Sequence, residues 1–192
     1  MNGEQTELRW SLNVGRPAGR MVYFHAMSTG TWLATHFRKA LEGSMARMRR
    51  ILFASDFSKA SAKAFATAVA LAKATHADMT ILHVLVPFTP LVPEQYIGGT
   101  TLDQLNADAR RWSQQQLATL TAKAKSGGLR VGGLAMTGDP AEQIVRAARS
   151  KRADLIVLGT HGRTGLNRFF VGSVAQRVIA SATCPVVTVR GR

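Results

Sequence analysis

From Arg49 onward the apolar residues of this chain alternate between two rhythms. Short apolar runs read as buried strands over Ile51–Ser55, Met79–Val86, Leu155–Leu158 and Pro185–Val189, with a less regular one over Leu129–Thr137. Between them apolar positions recur at helical spacing. Ser58 caps a helix to about Thr75, with Phe65, Val69 and Ala72 on one face and Ala64, Ala68 and Leu71 beside them. Leu102, Leu105, Ala109 and Trp112 open a second helix, which stops at Gly127-Gly128. A third begins at Asp139-Pro-Ala-Glu142, with proline at the first helical position and a carboxylate three residues past the cap, and carries Ile144, Val145 and Ala148. A fourth starts with Ser173 as its N-cap. Residues 87–100, rich in Pro and Gly, predict a loop. Strict strand–helix alternation with short connections predicts an α/β fold: an open five-stranded parallel sheet with helices on both faces. The last strand, following the last helix, is expected at the sheet edge, where it needs cover.

Residues 1–44 break this rhythm. They mix isolated Trp, Tyr and Phe with Gly, Ser and Thr, with only a poorly capped helical stretch over Thr31–Leu41. The reading is a disordered or weakly structured N-terminal extension over 1–44 and one domain over 45–192, with Met45 or Met48 as the natural start. The extension has no compact apolar stretch followed by a cleavage site, so a signal peptide is not expected. A form starting at Met45 is expected to match the full chain in stability.

Composition adds three constraints. Apolar residues make up 46% of the 192, enough for a core, and the longest apolar runs are strand-sized, which speaks against a membrane span. The one cysteine, Cys184, excludes an intrachain disulfide, fits a reducing compartment and reads as a small buried hydrophobe. The formal charge is +14, of which residues 1–44 carry only +2. The field therefore belongs to the folded part and attracts anions without choosing among them.

In such a sheet a ligand lies beyond the C-terminal strand ends, where the strand order reverses. The residues there look like a site. The strand ending at Gly159 runs into Gly159-Thr-His161-Gly162, and nine residues later Gly172-Ser173 opens a helix. Glycine lets backbone approach a ligand, and the next helix offers free N–H groups and the positive end of its dipole, so the segment reads as a phosphate cradle. The first strand ends in Ser55-Asp56, where a carboxylate can accept bonds from ribose hydroxyls or an adenine amino group; its alternative is a helix-start carboxylate. The second ends in His83-Val84, where Val84 can wall a base or simply fill core. His83 and His161 without a third ligand make no metal site, and read as a satisfied strand histidine and a loop donor.

These segments together resemble the universal stress protein family. The resemblance spans about Met48 to Arg190. It rests on Ile51-Leu-Phe-Ala-Ser-Asp56-Phe-Ser, Ile81-Leu-His-Val84, Gly138-Asp-Pro-Ala-Glu142-Gln-Ile, and Asp154 to Ser173 followed by Cys184-Pro-Val-Val. The spacing Gly-x2-Gly-x9-Gly-Ser matches the family's ATP-binding members at Gly159, Gly162, Gly172 and Ser173. The resemblance implies the adenine nucleotide alpha hydrolase-like, Rossmann-like form of the fold and a cytoplasmic stress-response role. It also implies ATP, with Mg2+, as the ligand, and a homodimer through the last strand. It assigns Asp56, Val84, Gly159, His161, Gly162, Arg163, Gly172, Ser173 and Val174 to the nucleotide site. Two residues depart from the pattern. Ala54 replaces a proline common two residues before the aspartate, and His161 replaces an arginine, for which Arg163 and Arg168 can compensate.

Other classes find less support. The chain has no Gly-x4-Gly-Lys-Ser/Thr, no glycine in the turn after the first strand and no His-x-Gly-His behind it, which speaks against P-loop enzymes, dinucleotide binding and adenylyl transfer. No carboxylate pair or nucleophile–base pair stands out, so no catalytic residue is assigned and at most slow ATP hydrolysis is expected. The competing reading is a stress-family protein that acts by binding a partner or nucleic acid without nucleotide. No interleaving of basic and aromatic residues singles out nucleic acid.

Overall fold

The computed structural model describes residues 23–26, 48–87, 99–160 and 172–190. In chain order the elements are β1 (Tyr23–Ala26), β2 (Arg50–Ser55), α1 (Lys59–Thr75), β3 (Asp78–Leu85), α2 (Gly99–Ser126), β4 (Val131–Thr137), α3 (Pro140–Ser150), β5 (Leu155–Gly159), α4 (Ser173–Ser181) and β6 (Val186–Val189). All six strands are parallel, in the order β1-β6-β5-β2-β3-β4. The five expected strands are all present.

Side-chain alternation along the strands builds two cores. Ile51 and Phe53 of β2, Met79 and Ile81 of β3, and Leu155 and Val157 of β5 face α1 and α2, where they meet Ala64, Phe65, Ala68, Leu71 and Leu117. The intervening residues Leu52, Leu82, Ile156, Leu158 and Val186 face α3 and α4, meeting Ile144, Ala147, Ala148, Ala175 and Val178. Because β2, β5 and β6 are buried on both faces, their sequences are continuous apolar runs rather than alternations. The caps behave as their residues dictate. Ser58 accepts the Ser61 N–H at 3.2 Å, and Asp139 accepts that of Glu142 at 2.9 Å, with Pro140 in the first turn. Asp154 is structural: its Oδ2 accepts from the backbone N–H groups of Arg49 and Arg50, both at 2.9 Å, and so holds the entry to β2.

Two expectations need correction. The last strand is not the sheet edge. β1 pairs along it in parallel, from Tyr23 beside Val186 to Ala26 beside Val189. A homodimer by backbone pairing along β6 therefore has no open edge to use, and one segment of the N-terminal extension is a strand of the sheet. Second, α4 is capped by Gly172 rather than Ser173, and glycine has no side chain to bond the first turn. The first half of α2 is not core. Leu105 is half exposed, and Trp112 is 42% exposed. Contact with the core begins at Ser113 and Leu117, because the apolar spacing of 102–112 continues beyond the sheet that would cover it. The Thr31–Leu41 stretch lies outside the described residues.

Candidate functional site

The strand order places the site. The chain leaves β2 toward β3 and β4, then returns to the other side of β2 for β5 and β6. The direction reverses between β2 and β5, so connections diverge there and leave a crevice above the strand ends. A cavity of about 430 Å³ occupies this position, within the several-hundred-Å³ range of small-molecule sites. Ser55 and Asp56 line it from β2, His83 to Val86 from β3, Gly159 and Thr160 from β5, and Gly172 to Ala175 from α4. Six of the nine sequence-assigned residues, Asp56, Val84, Gly159, Gly172, Ser173 and Val174, thus share one cavity. His161, Gly162 and Arg163 lie outside the described residues, as does Arg168.

The turn after β2 is held by its own polar groups. Asp56 Oδ1 accepts the Ser58 N–H at 3.0 Å, Ser55 Oγ accepts the Phe57 N–H at 3.1 Å, and the Ser55 and Ser61 hydroxyls lie 2.9 Å apart. Asp56 therefore serves the start of α1 with one oxygen while lining the cavity. Phe57 has φ of 61°, the left-handed region that non-glycine residues rarely enter. Its ring stacks on His83 at 4.3 Å between centroids and meets Trp112 edge-on at 5.4 Å. These contacts hold it there. His83 is buried, and its Nδ1 lies 2.8 Å from the Ser55 carbonyl oxygen, an acceptor. The proton is therefore on Nδ1, and the ring is the satisfied strand histidine expected from sequence.

On the opposite wall the α4 N-terminus opens toward the cavity. The first turn of any helix leaves N–H groups without intrahelical partners, and Gly172, the cap residue here, has no side chain to bond them. Gly172 donates its N–H to the Thr160 carbonyl at 2.6 Å, and Thr160 donates to Val189 at 2.9 Å, fixing α4 against the ends of β5 and β6. Gly172 has φ of −57°, which any residue adopts, so its role is not to supply a left-handed conformation. A Cβ at Gly159 would touch Ala60 and Ser61 at 3.4–3.5 Å, ordinary contact, so packing of α1 does not by itself demand glycine there. Arg177 of α4 reaches Asp139 Oδ2 at 2.7 Å and Glu142 at 3.7 Å, bracing the cap of α3. The Arg177 hydrogen bond, then that from the Glu142 N–H, holds the Asp139 carboxyl below its ordinary range. Among the described residues no group of three or more His, Cys, Asp or Glu side chains is placed to hold a metal ion.

Sequence reasoning missed Trp112 and Ser113 of α2, and Thr160, all of which line the cavity. Thr160 is adjacent to an assigned glycine and was within reach of the strand-end rule. Trp112 was not. Its spacing placed it only on a helix, and only the placement of α2 over the β3 side brings it to the cavity.

The same arrangement of elements is widely shared. The family model for universal stress proteins matches residues 48–190, three quarters of the chain. The chain belongs to the universal stress protein family. Universal stress protein YxiE of Bacillus subtilis is 34% identical over 145 residues, 73% of this chain and 98% of its own. Universal stress protein UspA from Lactobacillus plantarum is similar in structure, with a TM-score of 0.58 and 28% identity over 74% of this chain and 98% of that one. A universal stress protein solved in complex with cAMP shares the fold at a TM-score of 0.55 and 21% identity, covering 75% of this chain and 98% of its own. No described helix is long and apolar enough to cross a membrane.

Proposed function

We propose that the cavity binds an adenine nucleotide, ATP, and that this universal stress protein acts as a nucleotide-dependent regulator of a stress response in the cytoplasm. The observation that carries the reading is the glycine-capped α4 N-terminus sharing one cavity with the apolar residues of β3 and with Asp56. Phosphates lie at Gly172, Ser173 and Val174, where helix N–H groups and the dipole favour negative charge. The family resemblance adds Gly162, Arg163 and His161, which lie outside the described residues, to the phosphate contacts. Asp56 accepts from ribose hydroxyls, a bond to a charged acceptor being worth about 1.5–3 kcal/mol. The base lies on the β3 side, against Val84 and Trp112. The cAMP complex of one universal stress protein is in keeping with this, as a property of that protein.

Among the described residues Asp56 is the one carboxylate lining the cavity, so Mg2+ enters chiefly on the nucleotide's phosphates. The sequence singles out no nucleophile–base pair, and hydrolysis is at most slow. A homodimer belongs to this reading through a surface other than paired β6 edges, or after β1 has left.

Titration calorimetry of the full chain with ATP tests the reading. The expected dissociation constant is on the order of micromolar, about −8 kcal/mol. No heat and no thermal shift at millimolar ATP would replace it with partner binding that leaves the cavity unused.

A further inference from the structure

The charge of +14 is not explained by one small anion site. The fold shows where much of it goes. Parallel strands start at one end of the sheet, and the helices that return between them finish at that same end. Arg49 and Arg50 lead into β2, Arg130 into β4, and Lys151 and Arg152 into β5. Lys73, Lys123, Lys125 and Arg149 lie in the last turns of α1, α2 and α3. All nine are exposed. The segments touch: Arg49 O accepts the Asp78 N–H at 2.7 Å, Arg50 O that of Asp154 at 2.8 Å, and Arg130 O that of Met79 at 2.9 Å. The acidic residues among those described at this end are Asp78, paired with Arg130, and Asp154, whose carboxylate is bound to backbone.

Cations at helix ends complement the dipoles, and Lys151 and Arg152 at the C-cap of α3 join the four in last turns in this, but Arg49, Arg50 and Arg130 serve no helix in that way. We infer that this strand-start end, opposite the cavity, is a docking surface for double-stranded nucleic acid, read through its phosphates without base specificity. Guanidinium-rich surfaces match phosphate oxygens in geometry as well as charge. The exposed large apolar side chains among the described residues, Val86, Leu105 and Trp112, belong to the cavity side of the molecule rather than this end. The end therefore offers neither an apolar wedge for a bilayer nor an aromatic platform for unpaired bases. The pattern is inconspicuous along the sequence because the cations come from four separated stretches, 49–50, 73, 123–130 and 149–152.

Fluorescence anisotropy with a labelled mixed-sequence DNA duplex of about 20 base pairs tests this on the full chain. Binding on the order of micromolar is expected at about 50 mM salt, weakening steeply as salt rises. Arg49→Gln with Arg50→Gln and Lys151→Gln should lower affinity by about tenfold or more and flatten the log–log salt slope by roughly two to three, near 0.9 per lost phosphate contact. Lys123→Gln with Lys125→Gln, on a different element, should act in the same direction. Lys59→Gln with Arg110→Gln and Arg146→Gln removes equal charge elsewhere and should change little. The proposal is overturned if the duplex does not bind, or if the control variant loses as much as the first. It is equally overturned if a single strand of equal length binds more tightly, or if anionic phospholipid vesicles capture the protein while the duplex does not. None of these readouts depends on ATP binding.

Discussion

Cys184 shows how burial decides reactivity. It is half-buried against the α3–α4 core. Desolvation, with a smaller contribution from the Asp154 carboxylate, pushes its thiol up to about 11. The thiolate is the reactive form, so its modification by a disulfide reagent at pH 8 should be roughly a hundredfold slower than that of an ordinary cysteine with pKa near 8.5. Rapid labelling of the native protein would show that the thiol reaches solvent. Gly172 gives a second test at this scale. Its φ of −57° and ψ of 150° suit valine, so Gly172→Val should fold normally while its side chain fills the space above the α4 N–H groups. ATP binding should then be lost at an unchanged melting temperature. Trp112→Ala should weaken ATP by roughly tenfold, as expected for a lost stacking partner, and leave tripolyphosphate binding unaffected. Equal loss for both ligands would place Trp112 on the phosphate side. The sequence pointed to the cavity positions of Asp56, Val84, Gly159 and Gly172 because each lies where a strand ends or a helix begins, positions that local pattern defines. It hid Trp112 because a residue on a helix surface reaches a cavity only through the docking of that helix.

At the scale of elements, caps and apolar periods fixed both ends of α1 and the start of α3 to within a residue, since Ser58 and Asp139 cap the N-termini of their helices by bonds that are local in sequence. The α4 cap was placed one residue late because serine is the better capping residue, yet here the chain enters through Gly172, whose N–H is tied to Thr160. The α3–α4 contact is where two elements meet at the site. Arg177 bridges to Asp139, and the Asp139 carboxyl is held below its usual value of 3.8 by that bond. A depressed carboxyl pKa contributes stability above its unfolded value and loses it as pH falls through the folded one. Asp139→Asn preserves a good cap but removes the charge, so it isolates the pair. The melting temperature of Asp139→Asn should lie slightly below that of the unsubstituted protein near pH 6, and the gap should close as pH falls below about 3.8. Because the pair is exposed, added salt should narrow the gap as well. A gap independent of both pH and salt would mean that the substitution acts through the cap alone.

For the whole molecule, alternation of strands and helices announced the doubly wound sheet, and the reversal of strand order located the cavity. What it did not announce was β1. Tyr23–Ala26 is too short and too isolated for a periodic signal, and its pairing with β6 joins residues more than 160 positions apart. That pairing changes what removal of residues 1–44 should do. Val186, Val187, Thr188 and Val189 are all buried, and without β1 their outer backbone groups form an open apolar edge, the feature that sheets ordinarily keep covered. Each ladder hydrogen bond is worth about 0.5–1.5 kcal/mol net, and roughly 1 kcal/mol shifts a domain of this size by about 2–4 °C. A form starting at Met45 should therefore melt several degrees below the full chain. Its mass in light scattering should rise with concentration as exposed β6 edges find one another, while the full chain should show no such rise. If the shortened form instead matches the full chain in melting temperature and stays at one mass across concentrations, the β1–β6 pairing contributes nothing to stability, and the edge is protected by the domain itself.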